Sequence, residues 1–289
     1  MTTAITKDGT ARAQARRAAR SVVTHIGTVT AGVRIEPTFI IAGAQRCATT
    51  SLFRMLTQHP QIVPPPLNKG IHYFDTAERY AKGPRFYRGH FPLRRPGRPD
   101  LVTGEASPYY IFHPLAAARI AAELPRAQVV VLLRDPVERA FSGYKQEVAR
   151  GFETLSTFEQ ALDAEEARLA GEESRIQRDP TYQSFAHQHF GYVARGLYTA
   201  QLRRTQEELG KGRLTILDLG RLVEGGFGLW DELLEAIGVA PWRPDNMIRV
   251  NDTPSTQMHP ATRRRLAEVF AAENDELAEF LGYQPSWCR

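Results

Sequence analysis

The segment Thr38-Phe-Ile-Ile-Ala-Gly43 is apolar at consecutive positions and closed by glycine. A strand with such a run is buried on both faces, which means a parallel sheet covered by helices on either side. The run leads through a loop into Thr50 to His59, where Leu52, Met55 and Leu56 fall at helical spacing. Strand, loop and helix in this order open a βα unit, and that unit constrains the rest of the chain.

The pattern recurs. Leu101 to Gly104, Gln128 to Leu133 and Arg213 to Leu219 read as further strands. Pro114–Leu124, Val137–Arg150, Phe158–Leu169, Val193–Glu208, Gly228–Ile237 and Pro260–Leu281 read as helices. Apolar strands alternating with amphipathic helices give an α/β fold whose ligands gather at the carboxyl ends of the strands. Pro64–Pro66, Pro92–Asp100 and Gly171–His189 read as loops leaving the sheet, and the stretches Pro64–Lys69, Pro84–Arg98 and Gly171–His189 are expected to shape an acceptor pocket.

A chain of 289 residues, 42% of them hydrophobic, can bury one substantial core, expected as a single domain over 37–289. Residues 1–36, with Arg12, Arg16, Arg17 and Arg20, read as a basic N-terminal extension. No run of about eighteen apolar residues is present and the N-terminus lacks an apolar signal region, so a soluble, cytoplasmic chain without a membrane span is expected. Cys47 and Cys288 form neither a disulfide framework nor a zinc-ligand cluster, so no metal site is expected. A net charge of +5 fits an anionic ligand but decides nothing alone.

The loop Gly43-Ala-Gln-Arg46-Cys-Ala-Thr49-Thr50-Ser51 lies where free N–H groups and a helix dipole favour an anion. It departs from the Walker pattern: Ala48 stands for the second glycine and Thr49 for the lysine. The cation is Arg46, followed by three hydroxyl residues. The expected architecture is therefore α/β and P-loop-like, in three layers around a central parallel sheet, with hydrolysis of a nucleoside triphosphate disfavoured.

A second anion site follows the strand Gln128–Leu133. There Arg134 leaves the strand end, Pro136 suits the first residue of a helix, and Ser142 lies two turns along it. Arg134 can grip a phosphate bidentately and Ser142 can add a hydroxyl; an Arg134–Asp135 surface pair with a solvated Arg139 is the alternative.

With both sites present, the chain resembles the sulfotransferases that use 3′-phosphoadenosine 5′-phosphosulfate, especially their heparan-sulfate-type and bacterial branch. The matching stretches are GAQRCATTSL at Gly43–Leu52, HYFD at His72–Asp75, GEASPYY at Gly104–Tyr110, LRDPVERAFSGY at Leu133–Tyr144 and ARGLY at Ala194–Tyr198, in family order. The resemblance implies that Arg46, Cys47, Ala48, Thr49, Thr50 and Ser51 hold the 5′-phosphosulfate and that Arg134 and Ser142 hold the 3′-phosphate. It implies sulfuryl transfer to a hydroxyl or amine of a small-molecule or carbohydrate acceptor, with no nucleic acid partner and no metal.

Two departures bear on catalysis. The family has lysine where Arg46 stands, at the oxygen bridging phosphate and sulfur, and a carboxylate base where Gly70 stands. His72 becomes the leading base, with Asp75 to orient it, and Glu105, just after a strand, is a second candidate or a structural residue. Two rivals stay open: a P-loop-type kinase, marked by ATP consumption and a magnesium requirement, and a nucleotide-binding protein catalytically weakened at Arg46 and Gly70.

Overall fold

The computed structural model describes residues 21–210, 212–244 and 257–288. Arg12, Arg16, Arg17 and Arg20 lie outside the described residues. The central sheet has four strands, β1 (Phe39–Gly43), β2 (Gly104–Ala106), β3 (Gln128–Leu133) and β4 (Leu214–Asp218), all parallel in the order β2-β1-β3-β4. Every residue of β1 and β3 is buried, as their uninterrupted apolar runs require. At roughly 1.5–3 kcal/mol for each fully buried Val, Leu or Ile, these two strands anchor the core.

Helices cover both faces, completing the expected three-layer α/β arrangement. Among them are α1 (Thr49–Leu56), α2 (Ala116–Glu123), α3 (Pro136–Ala149), α4 (Tyr198–Leu209) and α5 (Pro260–Leu281), of which α1 and α3 line the site. The chain leaves β1 for β2 on one side and then reaches β3 on the other, so the connections reverse beside β1. The crevice at the carboxyl ends of β1 and β3 is where such sheets bind ligands.

Several elements differ from the sequence expectation. The second strand begins at Gly104 rather than Leu101, because Val102 pairs outward: it bridges Ile62, with Val63 N donating to Val102 O at 2.9 Å. The expected helix Val193–Glu208 is a 3₁₀ turn at Ala194–Gly196 followed by α4. Gly196 lies so close to Phe270 that a Cβ there would meet its ring at 2.8 Å. The excursion Gly171–His189 contains helices Glu172–Arg178 and Phe185–His189, the latter capped by Ser184, whose Oγ accepts from His187 N. Helices Ala77–Tyr80, Gly83–Arg88 and Leu219–Glu224 were not read from the sequence.

Residues 21–29 are helical and 21–36 lie against the body. Gly27 approaches Gly89 so tightly that a Cβ would fall 2.2 Å from Gly89 O, and Ile35 N donates to Pro92 O at 2.9 Å.

Candidate active site

A cavity of about 670 Å³ opens at the carboxyl ends of β1 and β3. Its floor is the loop after β1. Gly43 is required there because a Cβ would meet Ile111 Cγ2 at 2.3 Å. Arg46 and Ala48 adopt left-handed backbone angles, φ +72° and +60°. A non-glycine residue in this region costs about 1–2 kcal/mol, and such strain clusters at functional sites. Ala48, standing for the Walker glycine, thus keeps the glycine conformation as the residue preceding α1.

No side chain caps α1, and helix geometry leaves the N–H groups of Thr49, Thr50 and Ser51 without intrahelical acceptors. Their side chains and that of Ala48 line the cavity. These donors and the helix dipole make an anion cradle. Cys47 corrects part of the expectation. Its N–H is taken by Ala44 O at 3.1 Å, and its side chain is fully buried with Sγ 3.7 Å from Tyr198 Oη. Burial raises its thiol pKa despite nearby arginines, so it packs beneath the cradle rather than holding a ligand.

The second wall is the β3–α3 junction. Pro136 opens α3 as predicted, and Asp135 caps it by accepting from Val137 N at 2.9 Å, which replaces the simple ion pair with Arg134. Tyr198 Oη donates to Arg134 O at 2.9 Å, so the ARGLY stretch fixes the strand end from which Arg134 enters the cavity. Arg139 is fully buried and donates to Tyr192 O, not solvated.

Arg46 crosses from the loop to α3: its Nε donates to Ser142 Oγ at 2.9 Å and its Nη1 to Gln146 Oε1. Burial first, then the charges of Arg134 and Arg150, lowers its pKa. Arg46, Arg134 and Arg150 all line the cavity, and three guanidiniums gathered there suit a polyanion. Ser142, Gln146 and Arg150 follow at i, i+4 and i+8 along one helix face. That spacing was available in the sequence, and only Ser142 was taken from it.

The third wall carries His72. The HYFD stretch is irregular rather than strand-like, and His72 has φ +52°. Its backbone is pinned: His72 N donates to Ser107 Oγ at 3.0 Å, and Ser107 Oγ donates to Glu105 Oε2 at 2.6 Å. Its Nδ1 lies 2.7 Å from Asp75 Oδ2, and the Asp75 side chain is 1% exposed against 39% for His72. Burial acts to lower the imidazole pKa, but the charge and hydrogen bond of Asp75 outweigh it and raise the pKa above the ordinary value. With Nδ1–H directed to Asp75, the Nε2 lone pair is left to accept a proton.

Glu105 is not on the cavity. It is fully buried, Oε2 accepting from Ile71 N and Ser107 Oγ, and Oε1 from Tyr87 Oη and Tyr110 Oη. Four donors and no exposure make it a strut for the His72 segment, which corrects its candidacy as a base. Gly70 has a physical reason as well: a Cβ there would fall 2.7 Å from Ala106 O. Lys69 lines the cavity with Nζ donating to Thr50 Oγ1 at 2.6 Å.

Residues that sequence reasoning missed close the far side. Arg195 is buried beside the cavity and donates to Gln45 Oε1 and Gln188 O. His189 Nδ1 lies 2.9 Å from Glu147 Oε2. Of the stretches expected to shape the pocket, Pro64–Lys69 and Gly171–His189 contribute Asn68, Lys69, Gln188 and His189, whereas the residues of Pro84–Arg98 line other cavities, through Phe86, Arg88 and His90. Among the described residues no group of three or more His, Cys, Asp or Glu could hold a metal ion, and no helix is long and apolar enough to cross a membrane.

No family model matches the chain. Among curated proteins, it is 40% identical over 108 residues to a membrane-associated sulfotransferase of Dictyostelium discoideum, over 37% of this chain and 22% of that protein. It is 34% identical over 110 residues to heparan sulfate glucosamine 3-O-sulfotransferase 5 of Mus musculus, over 38% of this chain and 30% of that protein. A 26% identity over 211 residues links 71% of the chain to 22% of a bifunctional heparan sulfate N-deacetylase/N-sulfotransferase of Bos taurus. The matched stretches thus span less than a third of these relatives. In structure, it aligns with a sulfotransferase from Alicyclobacillus acidocaldarius at TM-score 0.64 and 29% identity, over 88% of this chain and 99% of that one.

Proposed function

From its likeness to sulfotransferases in both sequence and fold, we propose that this chain transfers a sulfuryl group from 3′-phosphoadenosine 5′-phosphosulfate to a hydroxyl of a small-molecule or carbohydrate acceptor. The observation that carries this reading is the convergence of three features on one cavity: the uncapped N-terminus of α1, a cluster of three guanidiniums, and the His72–Asp75 pair. A donor with anionic groups at two ends matches the first two features, and an acceptor proton matches the third.

The 5′-phosphosulfate lies against Ala48–Ser51, and the 3′-phosphate meets Arg134 and Ser142. His72 Nε2 takes the acceptor proton as the acceptor oxygen bonds to sulfur. The bond from sulfur to the 5′-phosphate oxygen breaks, and 3′-phosphoadenosine 5′-phosphate leaves. Fixed positive charge and placement supply the stabilisation in such a loose, in-line displacement. The cavity volume falls within the range of small-molecule sites.

The test is transfer of radiolabelled sulfate from this donor to a panel of phenols, alcohols and sugars. Wild type is expected to label at least one class of acceptor, and His72→Ala to lose about 10²–10⁴-fold in turnover. Release of ADP from ATP with magnesium, without sulfate transfer, would favour a kinase.

A further inference from the structure

The donor cradle has two ends, and the chain supplies a different cation to each. At the α3 end, Arg46 is committed to Ser142 Oγ and Gln146 Oε1, in company with Arg134 and Arg150. Both of these partners lie on α3. At the α1 end a separate cation is already seated: Lys69 Nζ donates to Thr50 Oγ1 at 2.6 Å, one residue into the helix.

Lys69 is held there by its own backbone. Its carbonyl accepts from Ala106 N at 2.7 Å, which ties the loop to the end of β2. It is also three residues before His72, so the ammonium and the imidazole enter the cavity from one short segment. Burial, and then the charge of Arg54, lowers the pKa of Lys69. A cation placed against the positive end of a helix is in an unfavourable field unless an anion comes between them.

Resting on the sulfuryl-transfer reading, we infer that Lys69, not Arg46, is the cation at the transferring end of the donor, and that Arg46 is a clamp for the 3′-phosphate. Lys69 Nζ neutralises the charge that develops on the 5′-phosphate oxygen as its bond to sulfur breaks, and no proton transfer from the ammonium is required. Thr50 Oγ1 positions the ammonium in the free enzyme. The exchange accounts for a donor loop that has arginine at position 46 and still places an ammonium at the N-terminus of α1.

The test separates the two cations by which phosphate each serves. Affinities for 3′-phosphoadenosine 5′-phosphate and adenosine 5′-phosphate are measured by calorimetry for wild type, Arg46→Gln, Lys69→Met and Lys69→Arg, and turnover is measured at saturating donor. Arg46→Gln is expected to reduce the preference for the 3′-phosphorylated ligand by about tenfold or more. Lys69→Met is expected to leave that ratio within about twofold while lowering kcat by about 10²-fold, with Lys69→Arg recovering part of the loss. Retained preference in Arg46→Gln, or unchanged kcat in Lys69→Met, overturns the assignment. If wild type itself shows no preference for the 3′-phosphate, the donor reading fails first and this inference with it.

Discussion

Replacing Glu105 with glutamine tests whether this carboxylate is a strut or a base. It accepts from Ile71 N at 2.8 Å, Ser107 Oγ at 2.6 Å, Tyr110 Oη at 2.9 Å and Tyr87 Oη at 3.0 Å, with no exposed surface. A glutamine of the same shape keeps one acceptor oxygen and turns an NH₂ toward the other two donors. Two donors then lose their acceptor at roughly 1–3 kcal/mol each, a loss of about 2–6 kcal/mol. At about 2–4 °C per kcal/mol for a domain of this order of size, the thermal midpoint falls by roughly 10 °C. Differential scanning calorimetry reads the midpoint, and a pH–rate profile below the transition reads the chemistry. The strut account expects a lower midpoint and a profile still shaped by His72. A wild-type midpoint with turnover abolished would refute it and restore Glu105 as a base.

Two further variants address the same wall. Asp75→Asn removes the charge that raises the His72 pKa and leaves the opposing effect of burial. The proton acceptor is the neutral imidazole, so activity is lost as pH falls through its pKa; the acid limb of kcat/KM moves to lower pH in Asp75→Asn, and an unmoved limb would remove His72 from the role. Gly70→Ala places a Cβ 2.7 Å from Ala106 O; an overpacking cost of roughly 1–3 kcal/mol and weaker turnover are expected in chemical denaturation and kinetic assays, whereas a neutral substitution would show that the loop yields.

The parts of the fold legible in the sequence were those with one strong local signal. The unbroken apolar runs of β1 and β3 specify buried parallel strands, and Gln128–Leu133, Phe158–Leu169 and Pro260–Leu281 match the structure from end to end. The break at Leu197 was not legible, because it follows from Gly196 packing against Phe270, a contact between distant parts of the chain. Short helices such as Ala77–Tyr80 lack enough turns to show a periodicity.

The site divided in the same way. The loop after β1 and the Arg134–Ser142 pair announce themselves by residue type next to a strand end. Glu105 and Cys47 matched motif positions, yet sequence adjacency does not say which way a side chain turns, and both turn into the core. Lys69 was visible only as a loop lysine; its partner Thr50 lies 19 positions earlier, and only the fold brings them together. The same holds for Arg195 and Gln45, separated by 150 positions.

The central claim, that the cavity recognises a 3′-phosphorylated adenosine nucleotide, is tested most directly by calorimetric binding of 3′-phosphoadenosine 5′-phosphate, with adenosine 5′-phosphate as control, to wild type and Arg134→Ala. Wild type is expected to prefer the 3′-phosphorylated ligand by about tenfold or more, and Arg134→Ala to lose most of that preference. Absence of binding to wild type, or equal binding of the two nucleotides, would contradict the account.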